Sequence, residues 1–122
     1  SDRDLVFEIR ENNEIIGLIA LKDIDYLNCK TEIGYWLTKD HEGKGIITRS
    51  CEALLDICFK EMGMNRVQIK AATGNAKSLL VSERLGLKFE GIERAGEYLN
   101  GRFADLMVFS ILKNEWKGLK RS

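Results

Sequence analysis

The stretch Asp40-His41-Glu42-Gly43-Lys44-Gly45-Ile46-Ile47-Thr48 has the residue types to hold an anion. It falls between an apolar, aromatic run, Tyr35-Trp36-Leu37, and a run with helical periodicity. Glycine lacks a Cβ, so Gly43 and Gly45 let the backbone come close to a ligand. The first amides of a helix have no internal acceptor and sit at the positive end of the helix dipole. Together these features suit a pyrophosphate. Two glycines two positions apart also fit any short strand-to-helix turn. The longer spacing and Lys-Ser/Thr pair of a P-loop are absent, as is the third glycine of a dinucleotide-binding fingerprint. Asp40 and Glu42 put negative charge beside the loop, which opposes a phosphate, and Lys44 offsets part of it.

Other reactive side chains are sparse. The lone His41 sits in the turn before the glycines, where contact with a phosphate and simple exposure to water are both open; exposure is the commoner role. Three cysteines, Cys29, Cys51 and Cys58, are an odd number at spacings that fit no zinc or disulfide framework. They read as small buried side chains in a reducing compartment. No cluster of His, Cys and Asp has metal-ligand spacing, so no metal is expected.

The elements that must position this loop can be read from periodicity. Leu5 to Arg10, Ile15 to Lys22 and Lys30 to Leu37 read as three strands, the first two joined by an Asn12-Asn13 turn. Cys51, Leu54, Leu55, Cys58, Phe59 and Met62 then form one apolar stripe of a helix that Gly63 ends. Val67, Ile69 and Ala71 alternate as a strand. Asn75 to Leu85 reads as a second helix closed by Gly86. Leu87 to Ile92 and Phe103 to Leu112 are two more strands, with a turn at Asn100-Gly101. The order is β-β-β-α-β-α-β-β, an α+β domain with a mixed sheet and one right-handed parallel crossover.

Composition sets the outer limits. A chain of 122 residues with 44% hydrophobic and 31% charged residues has the size and content of one folded domain. Nineteen Lys and Arg balance nineteen Asp and Glu. A binder of nucleic-acid backbone would be basic, so no nucleic-acid partner is expected. The longest apolar run, Ile15 to Leu21, falls far short of the roughly 20 residues that span a bilayer. The polar start Ser1-Asp2-Arg3-Asp4 has no leader character. A cytoplasmic protein without a membrane partner is the expectation.

In their order, these segments resemble the GNAT superfamily of acyl-CoA-dependent N-acetyltransferases. Glu42-Gly43-Lys44-Gly45-Ile46-Ile47 is similar to that family's phosphate loop, Gln/Arg-x-x-Gly-x-Gly/Ala, with Glu42 in place of Gln or Arg and Ile47 in place of a small residue. Asn75-Ala76-Lys77-Ser78 followed by Glu83-Arg84-Leu85-Gly86-Leu87 is similar to its Asn-x-x-Ser/Ala…Leu-Gly-Phe segment. Glu32-Ile33-Gly34-Tyr35-Trp36-Leu37, Glu90-Gly91, Glu97-Tyr98-Leu99-Asn100-Gly101 and Ser110-Ile111-Leu112 carry a closer resemblance to the branch that acetylates the N-termini of ribosomal proteins. The resemblance covers nearly the whole chain. It implies a GNAT fold with a mostly antiparallel mixed sheet and a single acetyltransferase domain over residues 1–122. The first strand and helices of the family, which cover one side of the acceptor site, have no counterpart before Leu5.

The resemblance also implies roles. Acetyl-CoA is the co-substrate, and a primary amine is the acceptor, above all a protein N-terminal α-amino group. The strand ending at Leu37 splays from its neighbour, and backbone groups of Trp36, Leu37 and Thr38 pair with pantetheine, an amide near Leu37 polarising the thioester carbonyl. Glu42, Gly43, Lys44, Gly45, Ile46 and Ile47 hold the pyrophosphate, and Asn75 binds the pantetheine arm. Many relatives protonate the leaving thiolate with a Tyr seven residues after that Asn, where Ser82 stands; the ribosomal-protein branch instead has a Ser three after the Asn, and Ser78 resembles its proposed proton donor, a position a helix cap would otherwise explain. Glu97 is the base that takes the amine proton. Glu32 is a second carboxylate of interest, Asp105 a structural one, and Tyr35 and Trp36 read as sheet packing. Transfer is direct, without a cysteine nucleophile. A small amine or antibiotic acceptor, a non-catalytic acyl-CoA-binding module and an interaction domain with a decayed site are the alternatives. A homodimer is the assembly that an uncovered sheet edge favours.

Overall fold

The computed structural model describes residues 3–119. Its element order is the expected one: β1 (Leu5–Glu11), β2 (Glu14–Asp25), β3 (Lys30–Leu37), α1 (Ile46–Lys60), β4 (Arg66–Ala72), α2 (Ala76–Leu85), β5 (Lys88–Leu99) and β6 (Arg102–Leu112). Short 3-10 turns at Lys39–His41 and Lys113–Glu115 complete it. The six strands form one sheet in the order β1-β2-β3-β4-β6-β5, antiparallel except for β3 against β4.

Alternation explains which face is buried. Thr31 and Ile33 of β3, Val67, Ile69 and Ala71 of β4, and Phe109 and Ile111 of β6 all turn inward. The stripe on α1 meets them, with Cys51, Leu54, Leu55, Cys58 and Phe59 buried. The two helices pack against each other, α1 against β3 and α2 against β4, so both lie on this face. Burying a Leu-sized side chain stabilises by roughly 1.5–3 kcal/mol, and this one stripe is the main anchor of α1.

The opposite face carries a row of polar side chains set by the register. Lys22 opposes Glu32, Glu32 opposes Gln68, and Gln68 opposes Ser110. Gln68 donates to Glu32 at 3.0 Å, Lys22 pairs with Glu32 at 3.2 Å, and Arg66 donates to Gln68 at 2.9 Å. Arg66 also grips Glu90 with both Nη atoms, and the Ser110 hydroxyl donates to the same carboxylate at 2.6 Å. The Arg66 guanidinium and that hydroxyl hold the Glu90 carboxyl down to about 2.

This row marks where the sheet divides. β3 and β4 pair only over Lys30–Glu32 and Arg66–Gln68. Beyond that point β3 continues to Leu37 bonded to β2 alone, while β4 continues to Ala72 bonded to β6 alone. The strands part and leave a notch under the two helices.

Candidate functional site

The notch opens into a cleft of about 480 Å³. Its walls are the end of β3 (Tyr35, Trp36, Leu37), the loop and first turn of α1 (Glu42, Gly43, Gly45 to Thr48) and the cleft face of α2. Asn75, Lys77, Ser78, Leu80, Val81 and Arg84 form that last wall at helical spacing.

Backbone geometry gives the cleft its donors. Thr38 donates its amide to Ile16 at 2.7 Å. In an antiparallel ladder successive residues turn to opposite sides. Trp36 therefore points toward β2 like Thr38, and Leu37 and Tyr35 turn their backbone groups toward the parted side. Of the three backbone positions anticipated for a carrier, Leu37 alone turns its groups to the parted side; Trp36 lines the cleft and Thr38 does not. Gly17 makes this approach of β2 and β3 feasible, since a Cβ there would stand 2.3 Å from the Trp36 carbonyl oxygen.

At the mouth, Gly43 and Gly45 have φ of +80° and +74°. Gly45 is the N-cap of α1, and no side chain caps the helix. The first intrahelical bond runs from Arg49 to Gly45, leaving the Ile46, Ile47 and Thr48 amides without internal acceptors. These uncapped donors at a helix N-terminus fit an anionic diphosphate. Lys44 is not part of the cleft wall, and its carbonyl accepts from Arg49 at 3.0 Å. Glu42 does not stand as a bare charge, because it forms an ion pair with Lys77 from the first turn of α2. His41 does not line the cleft: Nδ1 meets the Thr38 hydroxyl at 2.7 Å and Nε2 meets Glu11 at 2.9 Å, tying the turn to the β1–β2 hairpin.

Deeper in, Asn75 caps α2, its Oδ1 accepting from the Ser78 amide at 3.1 Å. The Nδ2 group is left as a donor on the cleft wall. Ser78 is buried, and its hydroxyl bonds the Tyr35 phenol at 2.8 Å. Burial pushes the Tyr35 phenol up, with the Ser78 hydrogen bond acting the other way, so at neutral pH this phenol keeps its proton. Tyr35 had the sequence signature of sheet packing; the bond to Ser78 spans 43 positions, and only tertiary structure reveals it. Ser82 lies fully buried off the cleft.

The cysteines are chemically quiet. Burial pushes the Cys51 and Cys58 thiols up to about 12, and thiolates are the reactive form. Among the described residues no group of His, Cys, Asp and Glu could hold a metal ion, and no helix is long and apolar enough to cross a membrane.

A second concavity lies between Ala72 at the end of β4, with Thr73 just after it, and the β5–β6 hairpin (Leu99, Asn100, and Arg102 to Asp105). Thr73 in its wall and Asn75 in the wall of the cleft stand two positions apart in the chain. Glu97 stands on β5 opposite Ala104, exposed and outside the walls of both hollows. Asp105 accepts from the Ala95 amide at 2.8 Å, a structural contact.

A family model described as Acetyltransferase (GNAT) domain matches residues 1–88. The chain belongs to that family. It is 49% identical over 109 residues to YdaF of Bacillus subtilis, named "Putative ribosomal N-acetyltransferase". It is 27% identical over 116 residues to spermidine N(1)-acetyltransferase of Vibrio cholerae. The solved structure of RimL, a ribosomal L7/L12 alpha-N-protein acetyltransferase in complex with coenzyme A, superposes with a TM-score of 0.86 at 29% identity over 91% of this chain. The matches cover 89% and 95% of this chain for the two curated relatives, but only 60% and 66% of the relatives themselves, and 62% of the RimL chain.

Proposed function

We propose that this chain carries the acetyl-CoA site of an N-acetyltransferase that modifies protein N-terminal α-amino groups. The observation that carries the reading is the parting of β3 and β4 beyond Glu32 and Gln68, with the uncapped α1 amides at its mouth. A pantetheine arm extends a parted sheet edge by hydrogen bonds to Leu37 and Tyr35, and its diphosphate takes the loop amides. In the reaction the amine nitrogen bonds to the thioester carbonyl carbon and the carbon–sulfur bond breaks. The amine gives up one proton and the departing sulfur takes one. Ser78 supplies the sulfur's proton, with the Tyr35 phenol donating to its hydroxyl and turning the serine proton into the cleft. Glu97 takes the amine proton: it stands beside the hairpin concavity, and among the described residues it has no ion-pair partner, whereas Glu32 is tied to Lys22 and Gln68. An α-amine, with a reference pKa near 8, asks little of that base.

The charge of the hairpin concavity favours a peptide over a polyamine. Its walls hold one cation, Arg102, and one anion, Asp105, so Glu97 beside them adds a single uncompensated negative charge, a match for one α-amine more than for a polycation. The expected result is thioester-dependent acetylation of peptides with a free N-terminus at a kcat/KM at least tenfold above that for spermidine. A preference for spermidine would overturn the peptide assignment, and binding of acetyl-CoA without transfer to any amine would reduce the protein to a carrier-binding module.

A further inference from the structure

Glu42 and Lys77 reach toward each other from opposite banks of the cleft mouth, one from the loop before α1 and the other from the first turn of α2. Their ion pair spans the mouth. The pair is lopsided: the Lys77 side chain is 74% exposed and the Glu42 side chain 30%. An ion pair with one arm so far in water contributes little on its own, and a diphosphate carries more negative charge than one carboxylate. Glu42 also precedes Gly43 directly, so its carboxylate repels any anion that comes to the loop amides. Lys77 is the cation that cancels this repulsion.

We propose that Lys77 is a phosphate-binding residue of the carrier site, held ready by Glu42, and that its ammonium passes from the carboxylate to the carrier's phosphates when these arrive. The inference rests on the acyl-CoA reading above and adds to it an ion-pair exchange at the mouth. No covalent step is involved. Lysine suits the exchange because its flexible stem carries a point charge that can pivot between two acceptors. A purely structural strut between loop and α2 would behave differently: removing either partner would loosen the mouth and weaken binding.

The two readings predict opposite signs for one variant. We would titrate CoA into the wild-type chain, Lys77→Met and Glu42→Gln by calorimetry at low salt, with pantetheine, which lacks the phosphates, as a competitor. Exchange predicts that Lys77→Met weakens CoA binding about fivefold, the worth of one charge contact near a surface, and that Glu42→Gln tightens it by a similar factor. Competition by pantetheine stays unchanged in both. Raising the salt weakens CoA binding to wild type more than to Lys77→Met. Weaker CoA binding in both variants, or no change in either while wild type binds, would overturn the proposal and leave the carrier site standing. A folded wild-type chain that does not bind CoA would overturn the site and the exchange together. Melting curves of the variants confirm that all are compared in the folded state.

Discussion

Ser78→Ala is the substitution whose effect can be worked out most fully. The Ser78 side chain is 8% exposed, and its hydroxyl is 2.8 Å from the Tyr35 phenol, so the proton it offers sits in a cleft wall rather than in bulk water. Without a donor the sulfur leaves as thiolate, a step that takes no proton from bulk water and so does not change with pH; a positioned acid typically contributes roughly 10²–10⁴-fold. Ser78→Ala should therefore lower kcat by about 100-fold. A serine hydroxyl and the raised Tyr35 phenol both keep their protons at neutral to mildly alkaline pH, so the deficit should be the same from pH 6.5 to 9. The ionisation of the amine affects both proteins alike and cancels in the ratio. Tyr35→Phe removes one orienting hydrogen bond, worth about 1 kcal/mol, and should cost about fivefold. The double variant should be no slower than Ser78→Ala, since the phenol acts only through the serine. Steady-state kcat and acetyl-CoA KM from pH 6.5 to 9 provide the measurement. A wild-type to variant ratio that falls toward one as pH rises, or a loss below about threefold at pH 7, would refute the relay.

Other expectations follow from the packing and the charges. Gly17→Ala must push the Trp36 carbonyl from a 2.3 Å approach; overpacking of this kind costs about 1–3 kcal/mol, and the melting temperature should fall by several degrees with weaker carrier binding. Because Glu90 has a carboxyl lowered to about 2, its contribution is present above pH 4.5 and is lost as pH falls toward 2; Glu90→Gln should flatten the acid limb of the melting curve relative to wild type. The raised Cys51 and Cys58 thiols work on the other side, keeping protons in the folded state that the unfolded chain gives up, so stability should decline as pH rises from about 9 toward 12. A thiol reagent at pH 8 should modify Cys29, which is partly exposed, and reach the two α1 cysteines only on unfolding.

The sequence speaks clearly where local chemistry decides structure. β3 runs over the residues its β-branched and aromatic content indicates, and α2 begins after Asn75 and ends before Gly86 because a capping side chain and a left-handed glycine fix both ends. β5 was harder to read. It extends from Lys88 to Leu99, well past Ile92, because register shifts near Gly91 and between Glu93 and Glu97 break the two-residue alternation that reveals a strand. The loop glycines could be found from sequence, yet the neutralisation of Glu42 could not, since its partner lies 35 residues on. The parting of β3 from β4 leaves no local mark either. It begins just past the cross-strand row of Lys22, Glu32, Gln68 and Ser110, residues that look like ordinary surface polars until the register aligns them.

The central claim, that the parted strands and the uncapped amides of α1 form an acyl-CoA cleft, is tested most directly by thermal unfolding with and without saturating acetyl-CoA. Ligand at about 100 times its dissociation constant adds roughly 2.7 kcal/mol, a shift on the order of 10 °C for a domain of this size. A shift of that order, reproduced by CoA and reduced by adding salt, is the predicted result. An unchanged melting temperature from a folded sample would contradict the account, leaving this chain with the family's fold but without its carrier site.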